Sequence, residues 1–298
     1  MLSLGRIIGP SGASGVGSLL GGVAGSMPFL RNRLIENFKA AGLQPTREQV
    51  DRYFRRLGCW AGWSSAVYLR GFVESGVSAR ITLHDSFRFV EESMARGKGV
   101  VLASPHAFCH ELAAAAISLR HRFVLLARES KNPARESIKA RWYQATGVTV
   151  VKRPRKSSLM ADTVTAIRTL QNGALLGITP DVIVPPEKGM PVQMFGHTVH
   201  LSPGAVVLAS RVGSPIVSCW CDWVEGRTAR EDRLILKFGP PVEYANRKQK
   251  PEETRQHLQE WCQSQEANFT RNPEYWMFWL DKHWTRALRS PAAPNLPG

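Results

Sequence analysis

Apolar residues recur at helical spacing over Val50, Tyr53, Phe54, Leu57, Trp60 and Val67, behind a Thr46/Gln49 capping-box pair. This pattern predicts one long amphipathic helix ending near Arg70. A second helix is expected over 84–96, stopped by Gly97. From Gly99 onward short apolar runs alternate with helical stretches. Strands are expected at 99–103, 122–127, 147–151, 174–178, 215–220 and 233–238, with helices at 110–119, 133–145, 158–171 and 202–212 between them. Two further helices, 251–270 and 273–288, close the pattern. Alternation of buried strand and helix predicts an α/β fold. A largely parallel central sheet would be flanked by helices, with a helical segment before it and helices after it. In such sheets ligands bind beyond the carboxyl ends of the strands. The expected organisation is an amino-terminal segment over 1–30, one domain over 31–289, and a disordered tail over 290–298.

The amino terminus departs from both patterns. Between Arg6 and Arg31 lie 24 uncharged residues, long enough to span a bilayer. Their eight Ile, Leu, Val and Phe residues contribute only about −2.4 to −4.8 kcal/mol on the insertion scale. Seven Gly, four Ser and two Pro oppose that gain, so a flexible or interfacial segment is expected over a spanning helix. The Gly17, Gly21, Gly25 spacing is read as a consequence of composition.

Length and charge narrow the field of partners. At 298 residues a single core needs no disulfide or metal staple. The five cysteines lack paired spacing, so reduced thiols are expected. A net charge of +15 points to nucleic acid, an anionic membrane surface or an acidic substrate. The excess is concentrated: Arg120 to Lys156 holds eleven Lys/Arg against Glu129 and Glu136.

The stretch GVVLASPHAFCHEL (99–112) carries the clearest chemistry. An apolar strand ends at Ser104-Pro105, His106 follows it, and Glu111 falls in the first turn of the next helix. From there the carboxylate is expected to reach one imidazole nitrogen, fix the tautomer, and leave the other nitrogen free as a general base. The plain alternative is a capping His and a Glu that complements the helix dipole. Two other chemistries compete. His106 with His110, and His197 with His200, have spacings a metal hydrolase uses. Cys109 beside His106 has the pairing of a thiol nucleophile. The basic stretch would also suit a non-enzymatic nucleic-acid binder, although no reader motif accompanies it.

His106 and Glu111 form an H-x4-[D/E] motif that resembles that of glycerolipid-type acyltransferases. Further blocks, in order, are similar to the bacterial lipid A biosynthesis (lauroyl/myristoyl) acyltransferase family. They are LARESKNPARESIKARWYQATGVTVVKR (125–153), LQNGALLGITPD (170–181), MFGHTVHLSPGAVVLASRVGSPIV (194–217) and NPEYWMFWLDKHW (272–284). The resemblance covers roughly residues 30–288. It implies transfer of a fatty acyl group from an acyl carrier protein or coenzyme A thioester to a hydroxyl or amine of a membrane lipid or saccharolipid. His106 would be the base and Glu111 its orienting partner, with no cofactor, metal or covalent acyl-enzyme. Arg128, Asn132 and Arg141 match the family's basic block, and Arg153 lies close after it. Their donors suit phosphate on acceptor or donor. Asp181 reads either as a further site carboxylate at a strand end or as a turn residue after Pro180. The resemblance also implies an anionic lipid partner, no nucleic acid, and a place on the cytoplasmic face of the bacterial inner membrane, peripheral or held by the amino terminus. The chain departs from the family at Ala107, Phe108, Cys109 and His110, where a glycine and an Asn-Trp pair are usual. It departs again at Val182, where Gln usually follows the Asp.

Overall fold

The structure, a computed structural model, describes residues 9–153 and 159–290. Helices α1 (Pro10–Ser26), α2 (Pro28–Ala40) and α3 (Arg47–Arg70) come first, then the short strand β1 (Ile81–Leu83) and helix α4 (Arg88–Met94). A run of alternating elements follows: β2 (Val100–Ala103), α5 (His110–Ser118), β3 (Phe123–Arg128), α6 (Pro133–Thr146), β4 (Thr149–Arg153), α7 (Leu159–Gln171) and β5 (Leu175–Ile178). A hairpin of β6 (Met190–Met194) and β7 (His197–Leu201) leads to α8 (Gly204–Val212), β8 (Ile216–Val224), β9 (Arg233–Phe238), α9 (Pro251–Arg271) and α10 (Lys282–Arg289).

Seven strands form one sheet in the order β1-β9-β8-β2-β5-β3-β4. Every neighbouring pair is parallel except β8 with β9. The fold is therefore the expected α/β class. All four residues of β2 are buried, which is why it reads as a continuous apolar run and not as an alternating one. The carboxyl ends of β2, β5, β3 and β4 share one edge, and His106 and Asp181 lie just beyond it.

Besides the edge strand β1, which was not expected, three stretches differ from the sequence expectation. The hairpin of β6 and β7 was not foreseen, because Met190–Leu201 mixes Pro, Gln, Gly and His with its apolar residues. The single closing helix expected over 273–288 is two 3-10 turns followed by α10. Asp281 makes the break: its side chain caps α10 by accepting from the amides of His283 and Trp284. The third is the amino-terminal stretch, which is helical over α1. Its Gly17, Gly21 and Gly25 face inward and are buried, so their spacing reflects packing and not composition alone. A Cβ on Gly17 would lie 2.1 Å from the Gly58 carbonyl oxygen, and one on Gly58 2.0 Å from the Gly17 oxygen. Only glycine permits this approach of α1 to α3. The expected tail from Pro291 lies outside the described residues.

Candidate active site

Strands β2 and β5 pair in register, with Ala103 opposite Ile178. The Ser104 amide extends the pairing by donating to the Ile178 carbonyl at 3.1 Å. Three residues beyond each member of that pair come His106 and Asp181, brought together although 75 positions apart. The His106 backbone amide donates to Asp181 Oδ2 at 2.8 Å, and its ring Nδ1 lies 2.6 Å from Asp181 Oδ1. The Trp276 indole donates to the same Oδ2 at 2.8 Å, and the Trp284 indole to the Asp181 carbonyl at 2.9 Å. Asp181 is fully buried. Burial alone would raise its carboxyl, but the facing His106 charge and these hydrogen bonds hold it below its ordinary value. Asp181 is thus an ionised acceptor, and in the neutral form of the imidazole it favours the tautomer with the hydrogen on Nδ1 and the lone pair on Nε2. The His106 side chain keeps 19% exposure, and among the described residues Nε2 makes no hydrogen bond.

The roof of the site is the irregular segment between α9 and α10. The Met277 amide donates to the His106 carbonyl at 3.0 Å, and Phe278 stacks on the imidazole with centroids 4.2 Å apart and planes 19° off parallel. The first helices hold this segment in place. The Tyr53 hydroxyl donates to the Met277 carbonyl at 3.0 Å, the Asn37 amide to the Trp279 carbonyl at 2.5 Å, and Arg52 pairs with buried Glu274 at 2.9 Å.

His110 opens α5 with its ring 4.8 Å from that of His106. Its Nδ1 bonds the Ala107 carbonyl at 3.0 Å, and burial, followed by the His106 charge, lowers its tendency to protonate. Cys109, just before it, has φ +96°, a left-handed conformation strained for any residue with a Cβ. Cys109 is buried and reduced, as are the other four cysteines.

Several expected roles move. Glu111 lies in the first turn of α5 as foreseen, but the carboxylate on His106 Nδ1 is that of Asp181, and the charge of Glu111 acts instead on His110 and Tyr143. Asp181 is enclosed behind the imidazole and serves His106 in place of a substrate. Asn132 is the amino-terminal cap of α6, its side chain accepting from the amides of Ala134 (2.9 Å) and Arg135 (3.3 Å). Arg141 packs over the Tyr68 ring at 4.6 Å. Arg128 and Arg153 face one another in register at the ends of β3 and β4, on the same sheet edge as His106. Their side-chain contacts lie outside the described set. Among the described residues no three His, Cys, Asp or Glu side chains are grouped to hold a metal. His197 Nε2 is engaged by the Ala40 carbonyl at 3.1 Å. Sequence reasoning missed Trp276, Trp284 and Phe278 as parts of the site. Their signal was the aromatic density of the closing block NPEYWMFWLDKHW (272–284), which carries the family resemblance without giving those rings a role.

A strand-end imidazole whose Nδ1 faces an ionised carboxylate is an arrangement that general-base chemistry can use, in an α/β fold. The particular family follows from the whole chain: residues 44–286 match the bacterial lipid A biosynthesis acyltransferase family, and the protein belongs to it. It is accordingly an acyltransferase. No curated protein matches the chain.

Proposed function

We propose that the protein moves a fatty acyl group from an acyl carrier protein or coenzyme A thioester to a hydroxyl of a membrane saccharolipid of the lipid A type, with His106 as general base and Asp181 as its orienting carboxylate. The observation that carries the reading is the 2.6 Å contact between His106 Nδ1 and Asp181, with Nε2 left open at a strand end. The acceptor O–H gives its proton to His106 Nε2 as the oxygen attacks the thioester carbonyl. The C–S bond then breaks, and the leaving sulfur takes the proton back from Nε2. Asp181 stays ionised throughout and stabilises the imidazolium. The oxyanion needs waiting donors, and the Glu111 and Leu112 amides in the first turn of α5 are suited to it, the His110 amide being taken by the Ala107 carbonyl at 3.2 Å. Arg128 and Arg153, which pair in backbone register at the ends of β3 and β4, are the residues offered for phosphate on donor or acceptor. No cofactor or metal enters the scheme. With a soluble donor and a lipid acceptor, the reaction belongs at the cytoplasmic face of a bacterial inner membrane. An assay with both thioesters against a detergent-dispersed lipid A precursor tests this. His106→Ala should abolish transfer with the fold retained, and undiminished transfer by that variant would overturn the mechanism.

A further inference from the structure

His110 is held in the site as firmly as His106, yet the general-base mechanism leaves it unused. Its backbone amide and its ring Nδ1 both donate to the Ala107 carbonyl, at 3.2 and 3.0 Å. Ala107 is fixed in turn by an antiparallel bridge to Trp276, the residue whose indole donates to Asp181. The closing segment therefore mounts both imidazoles. Their centroids lie 4.8 Å apart, with the ring planes at 57°.

The tether also decides which atom His110 has left to offer. A carbonyl can only accept, so Nδ1 carries the hydrogen, and a neutral ring then has its lone pair on Nε2. The ring is kept neutral by burial and by the neighbouring His106 charge, which both disfavour its protonation. The residue is half-buried, and among the described residues Nε2 makes no hydrogen bond and is not sealed from solvent. An open acceptor thus stands beside the base. A hydroxyl has one hydrogen, and in acyl transfer that hydrogen goes to His106. An acceptor nitrogen left unmatched when substrate displaces water costs affinity, so His110 calls for a second donor hydrogen carried next to the first.

Resting on the acyl-transfer reading, we propose that His110 Nε2 binds the acceptor substrate by accepting a hydrogen bond from a hydroxyl or N–H that neighbours the attacking hydroxyl. The enzyme thereby selects polyol or hydroxy-amide headgroups over lone alcohols. No bond is made or broken at His110, and His106 remains the base. The test is equilibrium binding of a detergent-dispersed lipid A precursor, with no thioester present, to wild type, His110→Phe and His110→Gln. Phe keeps only the bulk of the ring, whereas Gln keeps an acceptor oxygen. His110→Phe should weaken binding by about five- to tenfold, and His110→Gln should recover most of that loss. In turnover, His110→Phe should raise KM for the lipid more than it lowers kcat, with KM for the thioester unmoved. Methylating the free hydroxyls of the precursor separates the two donors: the gap between wild type and His110→Phe closes for a hydroxyl and persists for an N–H. Equal binding by wild type and His110→Phe would overturn the proposal, as would an equal loss in His110→Gln or no binding by wild type. Binding in the expected order without any transfer by wild type would instead overturn the acyl-transfer reading and leave His110 its role.

Discussion

Asp181 grips His106 twice, by the backbone amide at 2.8 Å and by the ring at 2.6 Å, so one carboxylate sets both where the imidazole starts and how it turns. The carboxylate against His106 Nδ1 comes from the end of the neighbouring strand, 75 residues on, and not from the helix five residues away. The two carboxylates near His106 therefore have separable effects. Asp181→Asn, which puts a neutral amide against Nδ1, should lower kcat by about 10²–10⁴. Glu111→Gln should cost less than Asp181→Asn under the same assay. Equal losses, or the reverse order, would return the orienting role to Glu111.

Trp276 holds Asp181 from the far side. Removing its indole N–H leaves a buried carboxylate oxygen short of a donor, at a cost of roughly 1–3 kcal/mol. Trp276→Phe keeps most of the packing against Phe269, Trp279 and Trp284, whose rings lie 4.7 to 5.0 Å away. The variant should fold with a lowered melting temperature, and kcat should fall more than KM rises. A change in KM alone would mean that the indole contacts substrate and does not position Asp181.

Much of this architecture was legible in the chain because buried parallel strands leave continuous apolar runs and helices leave a 3.6-residue period. β2, β3, β5, β9 and the capped start of α3 fall within a residue or two of expectation for that reason. His106 was legible too, since a polar ring just beyond an apolar strand has no packing purpose. Asp181 was seen as a strand-end carboxylate, but its partner depends on β5 lying beside β2, a neighbourhood that sequence order conceals. Glu111 was favoured over it because spacing along one helix can be counted and strand order cannot. The closing segment misled for a related reason: Trp276, Trp279 and Trp284 are all buried and spaced as on one helix, yet only Trp284 lies on α10, and the cap at Asp281 separates it from the 3-10 turns around Trp276 and Trp279. The glycines of α1 looked like composition until α3 was placed against them.

The contact of α1 with α3 makes a stability prediction. Gly58→Ala would set a methyl 2.0 Å from the Gly17 oxygen, an overlap that only backbone movement relieves. The cost should be roughly 1–3 kcal/mol, typical of overpacking. It should appear as a lower melting temperature and easier proteolysis within α1. Gly22→Ala is the control, because a Cβ there meets nothing within 4 Å. It should be neutral or slightly stabilising, given the helix propensity of alanine.

His110 gives the fold a dependence on pH that Asp181 extends. Burial, then the adjacent His106 charge, lowers the pKa of His110 from 6.5, so the folded chain keeps it neutral where the unfolded chain would protonate it. Its contribution is fully present above about pH 6.5 and is lost as pH falls below that value, because the unfolded state then binds the extra proton. The lowered Asp181 carboxyl acts in the same direction further down, below its ordinary 3.8. Melting temperatures measured from pH 8 to pH 3 should therefore decline first through the His110 window and again below the ordinary value of Asp181. His110→Gln, which cannot take the proton, should flatten that part of the curve while leaving the decline below pH 4 in place. An unchanged slope between pH 6.5 and 5 in the variant would assign the acid sensitivity to another group.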